Sequence, residues 1–364
     1  MRAGICAYPL SKGKETGRGL DRVIDEFYNY LSSNKIPFDF YDSKLADDLK
    51  GSSSLKKEIQ SVLNSFKYLW FLKSVKNDVY FATYPVAAIF PLLIKKKPLI
   101  TLIHDLIPFF VFGYDNKIKY SIKRRSIKYS CIKSDCVIVP FQSNKEKLIE
   151  LFNINPDKIK VIPYGVNHDC YYKDENIQKI PKSIAFLGEA KRAKGLDTLI
   201  KAFEIVADSI PEAKLLIASS GNELDKMNKL ASDILPQSSY EFIGFIEESK
   251  MRKFYNSAEL FVFPSRYGFG LSALEAMACG TPAIVGKTLD SVDFINDDDL
   301  LVDTENFNLL AEKIITLLTE KDLYFQKCQY AISTAQKYSW EEMSKKYYET
   351  CENLYNKSIN LRAT

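Results

Sequence analysis

The sequence has little net charge, no paired cysteine motif and no long apolar run. Fifty Lys and Arg residues stand against 46 Asp and Glu residues, which leaves a formal net charge of +4 on 364 residues. A dedicated nucleic-acid-binding protein would carry a much stronger basic bias, so we expect no nucleic-acid partner. The seven cysteines are odd in number and form no Cys-x-x-Cys pair, which is typical of reduced thiols in a cytosolic protein.

Signals for membrane spanning and secretion are missing as well. The most apolar region, residues 79–94, is short and interrupted by proline, so we do not expect it to span a bilayer. Residues 1–7 are followed at once by polar residues, which does not fit a signal peptide. The length of the chain exceeds that of one ordinary compact core and predicts two domains.

Short apolar segments alternate with helical patterns along the chain. Residues 3–7 predict a buried strand, and a glycine-containing loop and an amphipathic helix follow. This order is typical of a doubly wound α/β domain. The loop lacks the G-x-G-x-x-G spacing, so we expect no nicotinamide cofactor. Further along, Ser143 with Glu146 predicts the capped start of another helix.

The strongest functional pattern lies in residues 261–285. It predicts an apolar strand, a glycine-containing loop, a short helix and a second apolar strand. Gly268 and Gly270 would let the backbone approach a ligand closely, and the following helix would direct its N–H groups to the same point, which favours a phosphate. Glu275 lies one turn into this helix. Ser272 and Glu275 also fit a capping box, in which Glu275 would only stabilise the helix start.

The same stretch closely resembles the donor-sugar signature of the retaining, GT-B-fold glycosyltransferases of family 4, the glycosyl transferases group 1. The family pattern Glu-Gly-Phe-Gly-Leu-Pro-x-x-Glu-Ala-Met-Ala corresponds to residues 267–278. In the family the first glutamate lies beside the donor sugar and the second holds the ribose hydroxyls. The resemblance therefore implies donor contacts from Tyr267 (in place of the first glutamate), Gly268, Phe269, Gly270, Leu271, Ser272 and Glu275.

Two further segments resemble the parts of this family that lie beside the donor diphosphate. Residues 188–197 resemble the loop Gly-Arg-(x)4-Lys-Gly-x-Asp, whose cations neutralise the leaving diphosphate, and Lys194 matches its lysine. Glu189 replaces the arginine, a charge reversal that would repel a diphosphate, and Arg192 is the nearby cation that could substitute for it. The segment around Gly17 is similar to the family's Thr-Gly-x-Gly loop, although a tight turn is the alternative interpretation.

Other matches extend the resemblance over nearly the whole chain. Gly221 stands where the family has a glycine-containing loop near phosphate or sugar, and Phe245 and Ile246 lie in a segment similar to the one that contacts the nucleobase. His104 matches the histidine of the family's His-Asp-Leu-x-Pro motif, which lines the reaction cleft near the donor sugar. A hydrogen-bonded structural histidine is the alternative.

A basic helix is predicted at residues 117–133, which contain seven Lys or Arg residues and no acidic one. Such a helix can be a solvated surface. It can also bind an anionic membrane or a phosphorylated acceptor through Lys123, Arg124 and Arg125. We therefore expect a cytoplasmic protein that can lie at the inner face of the cell membrane.

The resemblance implies the GT-B fold, an α/β architecture of two doubly wound Rossmann-like domains facing a cleft. We assign residues 1–165 to an N-terminal acceptor-side domain and residues 166–340 to a C-terminal nucleotide-sugar-binding domain. Residues 341–364 are predicted to form a terminal helix that returns to the first domain. The acidic residues 296–299 are interpreted as a surface turn and not as a metal site, because this fold handles the diphosphate with cations and helix termini.

The predicted activity is transfer of a sugar from a nucleotide-diphosphate-sugar donor to an acceptor hydroxyl with retention, without cofactor or metal. The acceptor is expected to be a glycan, a glycolipid or a polyprenyl-linked molecule, in cell-surface glycan, glycolipid or protein-glycan assembly. His104, Lys194 and Glu275 are the predicted catalytic residues. The alternative is a catalytically weak scaffold that binds nucleotide sugars, because Glu189 and Tyr267 both replace charged residues of the family.

Overall fold

Two compact units divide the chain. The computed structural model describes residues 1–7, 19–42, 69–70, 72–110, 117–268, 270–288 and 290–363. Residues 1–164 together with 340–364 form unit 1, and residues 165–339 form unit 2. Two of the predicted donor contacts, Gly17 and Phe269, lie outside the described residues.

Unit 1 is built on a parallel sheet of six strands within the described residues. The strands are β1 (Ala3–Ala7), β2 (Phe38–Asp42), β3 (Val79–Ala82), β4 (Leu99–Leu102), β5 (Cys136–Val139) and β6 (Ile159–Val161). Their spatial order is β2-β1-β3-β4-β5-β6. The chain therefore changes direction across the sheet between β1 and β3, and the carboxyl ends of strands at such a switch point are where α/β sheets bind ligands.

The helices of this part of the chain connect the strands. They are α1 (Gly19–Ser33), α2 (Pro85–Leu93), α3 (Ile107–Phe110), α4 (Lys117–Lys133) and α5 (Gln142–Phe152). Helix α5 begins at Gln142 with Phe141 as its N-cap residue, so the prediction that Ser143 caps this helix is wrong. Among the residues that the structure describes, no helix combines the length and apolar character needed to cross a bilayer.

Unit 2 contains a second parallel sheet of six described strands. They are β7 (Ser183–Glu189), β8 (Lys214–Ser220), β9 (Tyr240–Phe242), β10 (Leu260–Phe263), β11 (Ala283–Gly286) and β12 (Leu301–Val302). The spatial order β12-β11-β10-β7-β8-β9 is that of the doubly wound dinucleotide-binding fold. Its switch point lies between β7 and β10. The first four residues of β7 and all four residues of β10 are buried, because helices cover both faces of the sheet.

Helices of unit 2 follow the strands in alternation, and one last helix belongs to unit 1. Those of unit 2 are α6 (Leu196–Ser209), α7 (Leu224–Ile234), α8 (Glu248–Ser257), α9 (Leu271–Ala278), α10 (Phe307–Thr319) and α11 (Lys321–Ala335). Helix α12 (Trp340–Ala363) packs in unit 1, where the Tyr347 ring lies 5.4 Å from that of Phe27 on α1. The two Rossmann-like sheets confirm the predicted fold class.

Candidate functional site

The loops after β7 and β10 bring a cation, two aromatic rings and a helix start together at the switch point of unit 2. A short 3-10 turn, Arg192–Lys194, follows β7. The ammonium nitrogen of Lys194 lies 5.6 Å from the ring centroid of Phe263 and 5.6 Å from that of Tyr267. A Cβ atom on Gly268 would lie 4.0 Å from the same nitrogen. The predicted residues Lys194, Tyr267 and Gly268 are therefore neighbours.

Glycine is required where the loop meets helix α9. Gly268 and Gly270 have φ angles of +93° and +70°, and Gly270 is the N-cap residue of α9. A Cβ atom on Gly270 would also lie only 3.3 Å from Cδ1 of Phe263. The N–H groups of Leu271 and Ser272 precede the first bond of this helix, which Ala273 donates to the Gly270 carbonyl. Such N–H groups, together with the positive end of the helix, favour an anion.

Glu275 is buried inside this helix and has a defined partner. The Tyr255 hydroxyl on α8 donates to Oε2 of Glu275 at 2.8 Å. Burial raises the pKa of Tyr255 well above its usual value, and the Glu275 carboxylate raises it further. Because Gly270 is the N-cap residue, Ser272 lies within the helix, and the capping-box interpretation of Ser272 and Glu275 is wrong.

The turn that carries Lys194 sits close to the β10 loop. Gly195 has a φ angle of +76°, and a side chain at this position would overlap the carbonyl oxygen of Pro264. The side chain of Arg192 is 73% exposed, with its Nε 3.9 Å from the Asp197 carboxylate. Arg192 is thus on the same turn as Lys194 and open to solvent.

The charge reversal at Glu189 is compensated locally. Its carboxylate lies 2.6 Å from the ammonium of Lys191, so the diphosphate-repelling charge expected from the sequence has a cation beside it. Glu189 ends β7 next to Gly221, which follows β8 and has a φ angle of +126°. A Cβ atom on Gly221 would lie 2.9 Å from Cγ of Glu189. Gly221 is therefore a position of close approach between two loops.

The predicted nucleobase segment follows β9, the next strand across the sheet. Phe245 is 59% exposed and Ile246 is half-buried. The preceding residue, Gly244, has a φ angle of +82° and allows the chain to turn here. This segment lies at the carboxyl end of the sheet, as do the loops after β7, β8 and β10, because all these strands are parallel.

His104 belongs to a buried network in unit 1. Its Nε2 lies 2.8 Å from the Thr83 carbonyl oxygen and its Nδ1 lies 2.6 Å from the Tyr164 hydroxyl. A carbonyl only accepts, so Nε2 carries the hydrogen and Nδ1 accepts from Tyr164. Burial lowers the pKa of His104 to about 4, although the Thr83 carbonyl acts in the opposite direction. The ring also packs on Tyr84, with centroids 4.6 Å apart.

The basic helix α4 uses its cations in different ways. The guanidinium of Arg124 donates to the Pro108 carbonyl and lies 5.9 Å from the Phe109 ring, so it fastens α3 to α4. Lys123 lies over the Tyr120 ring at 5.6 Å, and both Lys123 and Arg125 are exposed. Only two of the three predicted acceptor-side or membrane-side residues therefore present their charge to solvent.

Comparison with known proteins decides the family. A profile described as "Glycosyl transferases group 1" matches residues 171–338, and one described as "Glycosyltransferase Family 4" matches residues 18–169. Together they account for most of both units. The chain belongs to the group 1 glycosyltransferase family, and its fold is GT-B.

Relatives of this glycosyltransferase include an uncharacterized glycosyltransferase of Methanocaldococcus jannaschii, 30% identical over 65% of the chain and 63% of that protein. The D-inositol 3-phosphate glycosyltransferase of Corynebacterium jeikeium is 27% identical over 61% of the chain and 58% of that protein. The chain thus spans less than two thirds of the length of these curated relatives.

Solved structures share the whole fold of this glycosyltransferase. Sucrose-phosphate synthase from Thermosynechococcus elongatus superposes with a TM-score of 0.81 at 18% identity, over 97% of this chain and 99% of that one. HepE of Anabaena, in complex with UDP and glucose, superposes with a TM-score of 0.75 at 16% identity, over 96% and 100% of the two chains. Both likenesses concern the fold.

The acidic residues near 296–299 of the glycosyltransferase have a structural partner. Lys327 on α11 lies 2.7 Å from the carboxylates of both Asp297 and Asp299, and Asp297 is only 15% exposed. In the described part of the chain, no group of three or more His, Cys, Asp or Glu side chains is arranged to hold a metal ion. These ion pairs therefore link the 3-10 turn Asp298–Leu300 to helix α11.

Several important partners were missed by the sequence analysis. They are Arg266 beside the Lys194 turn, Phe263 and Lys191 in unit 2, Tyr255 beside Glu275, and Thr83 and Tyr164 beside His104. Arg266 offered one signal, since it is a basic residue inside the recognised motif. The others are contacts between residues distant in sequence, which no local pattern reveals.

Proposed function

We propose that this glycosyltransferase moves a sugar from a nucleotide-diphosphate-sugar donor to an acceptor hydroxyl with retention of anomeric configuration. One observation carries the donor part of the proposal. Lys194 and the start of α9 lie together at the switch point of the unit 2 sheet, where a doubly wound sheet binds a nucleotide. The HepE structure, described in complex with UDP and glucose, supports the same class of donor. Retention rests on the family resemblance.

Departure of the nucleoside diphosphate develops negative charge that the site must stabilise. The Lys194 ammonium and the N–H groups of Leu271 and Ser272 are positioned for this, and Arg192 adds an exposed cation on the same turn. Fixed donors of this kind act in the transition state without reorganisation, which is the largest source of catalysis in many enzymes. The proposal assigns Glu275 to the ribose hydroxyls and the Phe245 segment to the base.

A scaffold that binds nucleotide sugars without turnover is the competing proposal, and its main support is weakened by one contact. The scaffold was suggested by the negative charge of Glu189 where the family has arginine. Because Lys191 lies 2.6 Å from that carboxylate, the pair has no net charge. A charge-neutral pair repels a diphosphate far less than a single carboxylate does.

A screen of UDP-, GDP- and ADP-sugars separates the two proposals. Binding is measured by calorimetry with each nucleoside diphosphate, and slow hydrolysis of each donor is followed by release of the nucleoside diphosphate. We expect one base to bind and one of its sugars to be hydrolysed. Binding without hydrolysis, also in the presence of candidate acceptors, supports the scaffold, and the absence of any binding contradicts both proposals.

Replacing Glu275 with glutamine is expected to weaken nucleoside diphosphate binding by about 1 kcal/mol, because a neutral amide accepts weaker hydrogen bonds from a ribose diol than a carboxylate does. Calorimetry measures the change. The deficit should disappear when the ligand is the corresponding 2′,3′-dideoxynucleoside diphosphate, which has no diol.

Tyr255→Phe is the matched control for Glu275→Gln. It removes the hydroxyl that donates to Glu275 but keeps the carboxylate. If Glu275 only stabilises the packing of α9 on α8, both variants will lower the melting temperature and neither will change nucleotide affinity. That result would remove Glu275 from the donor site.

The acceptor is proposed to be a glycan, a glycolipid or a polyprenyl-linked molecule, reached at the cytoplasmic side of an anionic membrane. The support is the outward face of α4, which we define as Ile122, Lys123, Arg125, Lys128, Tyr129 and Ile132, all of them exposed. Cations and large apolar side chains alternate on this face. A surface of this kind suits an interface of anionic headgroups and acyl chains.

The outward face of α4 is expected to bind anionic vesicles, since each Lys or Arg near such a surface contributes about 1 kcal/mol. Co-sedimentation at low salt should recover the protein with phosphatidylglycerol vesicles and not with phosphatidylcholine vesicles. The double substitution of Lys123 and Arg125 by glutamate should abolish this recovery. Equal recovery in the supernatant with both vesicles would contradict membrane binding. Arg124 is left unchanged, because it fastens α3.

A further inference from the structure

We propose that Arg266 is a positioning residue that fixes the Arg192–Lys194 turn for a diphosphate ligand, an inference that rests on the proposed function. Arg266 follows β10, and its side chain is only 17% exposed. Its guanidinium makes hydrogen bonds to the Arg192 carbonyl and to the side chains of Asp197, Thr198 and Glu305. It therefore acts through the turn and not by contact with the ligand.

Arg266 and its neighbour hold the main chain of the turn directly before Lys194. The guanidinium Nη1 of Arg266 donates to the carbonyl of Arg192. The main-chain N–H of Arg266 donates to the next carbonyl, that of Ala193, at 3.0 Å. The Ser265 hydroxyl lies 3.2 Å from the same carbonyl, although its single hydrogen is donated to the Tyr267 carbonyl at 2.6 Å. Two consecutive carbonyls of the turn are thus anchored to the loop after β10.

The guanidinium is itself held from two sides by carboxylates. Its Nη1 and Nη2 lie 3.0 and 3.2 Å from the two oxygens of Asp197, at the start of α6. Its Nε lies 2.6 Å from Glu305, which precedes α10. Burial alone would lower the pKa of Arg266, but these two carboxylates raise it above the usual range for arginine. The two carboxylates offset the charge of the guanidinium, and the cations that the site offers to a phosphate are those of the turn, Arg192 and Lys194.

Two consecutive residues, Arg266 and Tyr267, restrict the main chain of the turn and the ammonium of Lys194. Arg266 fixes the main chain of the turn, while the ring of the next residue, Tyr267, lies 5.6 Å from the ammonium of Lys194. A small displacement of the cation relative to the helix start weakens its charge-assisted hydrogen bond to an anion, because such a bond depends steeply on distance and angle. Fixing both main chain and ammonium therefore sets the geometry that a diphosphate meets.

Arginine is required for this role, and lysine cannot replace it. Only the planar fork of guanidinium N–H groups can bind two carboxylates and a carbonyl at once, whereas an ammonium is a compact point charge on a flexible stem. Arg266→Lys therefore keeps the charge and removes the geometry. Arg252→Lys on α8 is the matched control, since Arg252 also lies beside a carboxylate, Asp174 at 3.8 Å, and has no part in the proposed site.

The experiment compares a phosphate-bearing probe with a phosphate-free one. UDP, GDP and ADP are titrated into the wild-type protein, and the one that binds is carried to the variants together with its nucleoside. Arg266→Lys is expected to weaken the nucleoside diphosphate on the order of ten-fold and to leave the nucleoside unchanged. Adding Arg266→Lys to Lys194→Ala should cost less than the sum of the two single losses, because Lys194 is then absent and Arg192 is the remaining cation of the Arg192–Lys194 turn. Arg252→Lys should change neither ligand.

Each other outcome overturns the inference. Equal affinity of wild type and Arg266→Lys for the nucleoside diphosphate, or equal loss of diphosphate and nucleoside, contradicts a role in placing the turn. Additive losses in the double variant also contradict it.

If Arg266→Lys does not fold, Glu305→Gln replaces it, since Glu305 is largely exposed and holds the same guanidinium. A loss confined to the diphosphate is again expected. Failure of all three nucleotides to bind wild type overturns the proposed function itself.

Discussion

Replacing Lys194 with alanine is expected to weaken nucleoside diphosphate binding by about 1.5–3 kcal/mol, the contribution of a hydrogen bond to a charged group. The ammonium lies near the faces of the Phe263 and Tyr267 rings, at 5.6 Å from each centroid. Aromatic rings attract a cation without neutralising it. Contacts with the two rings therefore restrict the position of the Lys194 ammonium without removing its charge.

Calorimetry with the nucleoside diphosphate and with its nucleoside measures this loss, which should be confined to the diphosphate. Lys201→Ala is the matched control, because Lys201 on α6 also lies over an aromatic ring, that of Phe307, at 6.0 Å. It lies outside the proposed site, and its replacement should leave affinity unchanged. Unchanged affinity in a folded Lys194→Ala variant would remove Lys194 from the donor site.

Most of the fold could be predicted because its strands are buried on both faces. Such strands are continuous apolar runs bounded by polar residues, as in β1 at Ala3–Ala7, where prediction and structure coincide. The apolar run of residues 99–103 predicts a strand one residue longer than β4, since the run continues past the last paired residue. Alternation of strand and helix then restricts the topology to doubly wound sheets.

Helix starts were predicted less well, because serine followed by glutamate is a weak local signal. At α5 and α9 the helix begins before the serine, so Ser143 and Ser272 lie inside their helices. In α9 the deciding residue is Gly270, whose left-handed conformation directs the chain into the helix. The buried partner of Glu275 is Tyr255, twenty residues away, and no periodicity indicates that contact.

The motif residues of the site could be identified from the sequence, whereas the residues that pair with them in the folded protein could not. Lys194 and Gly268 were singled out by pattern, and the structure brings them together. The pairing of Glu189 with Lys191 was not predicted, because the sequence does not reveal which nearby lysine pairs with it. The electrostatic effect of a charged residue depends on which other charges lie near it in the folded protein, and a sequence motif does not identify those neighbours.

Acidification is expected to destabilise the protein through His104. The pKa of a histidine in an unfolded chain is about 6.5, and burial lowers that of His104 to about 4. The unfolded state then binds the proton more tightly, so protons favour unfolding between these two values. The stabilisation is complete above about pH 6.5 and is lost as the pH falls toward 4, by up to about 3 kcal/mol in total.

Urea denaturation of wild type and His104→Gln measures this linkage. Between pH 7 and pH 5 the free energy of unfolding of wild type should fall by about 2 kcal/mol more than that of the variant. The other histidine, His168, is present in both proteins, so its contribution cancels. Parallel pH profiles for the two proteins would contradict a lowered pKa for His104.

Nuclear magnetic resonance tests the same property at the residue itself and bears on the catalytic role predicted for it. In His168→Asn, His104 is the only histidine left, so its Cε1–H signal is assigned directly. That signal should not shift between pH 8 and pH 5.5, and the nitrogen shifts should report a hydrogen on Nε2, which donates to Thr83. A neutral imidazole cannot offset negative charge as a cation. If the signal instead titrates near pH 6.5, the buried network of His104 with Tyr164 is not maintained in solution.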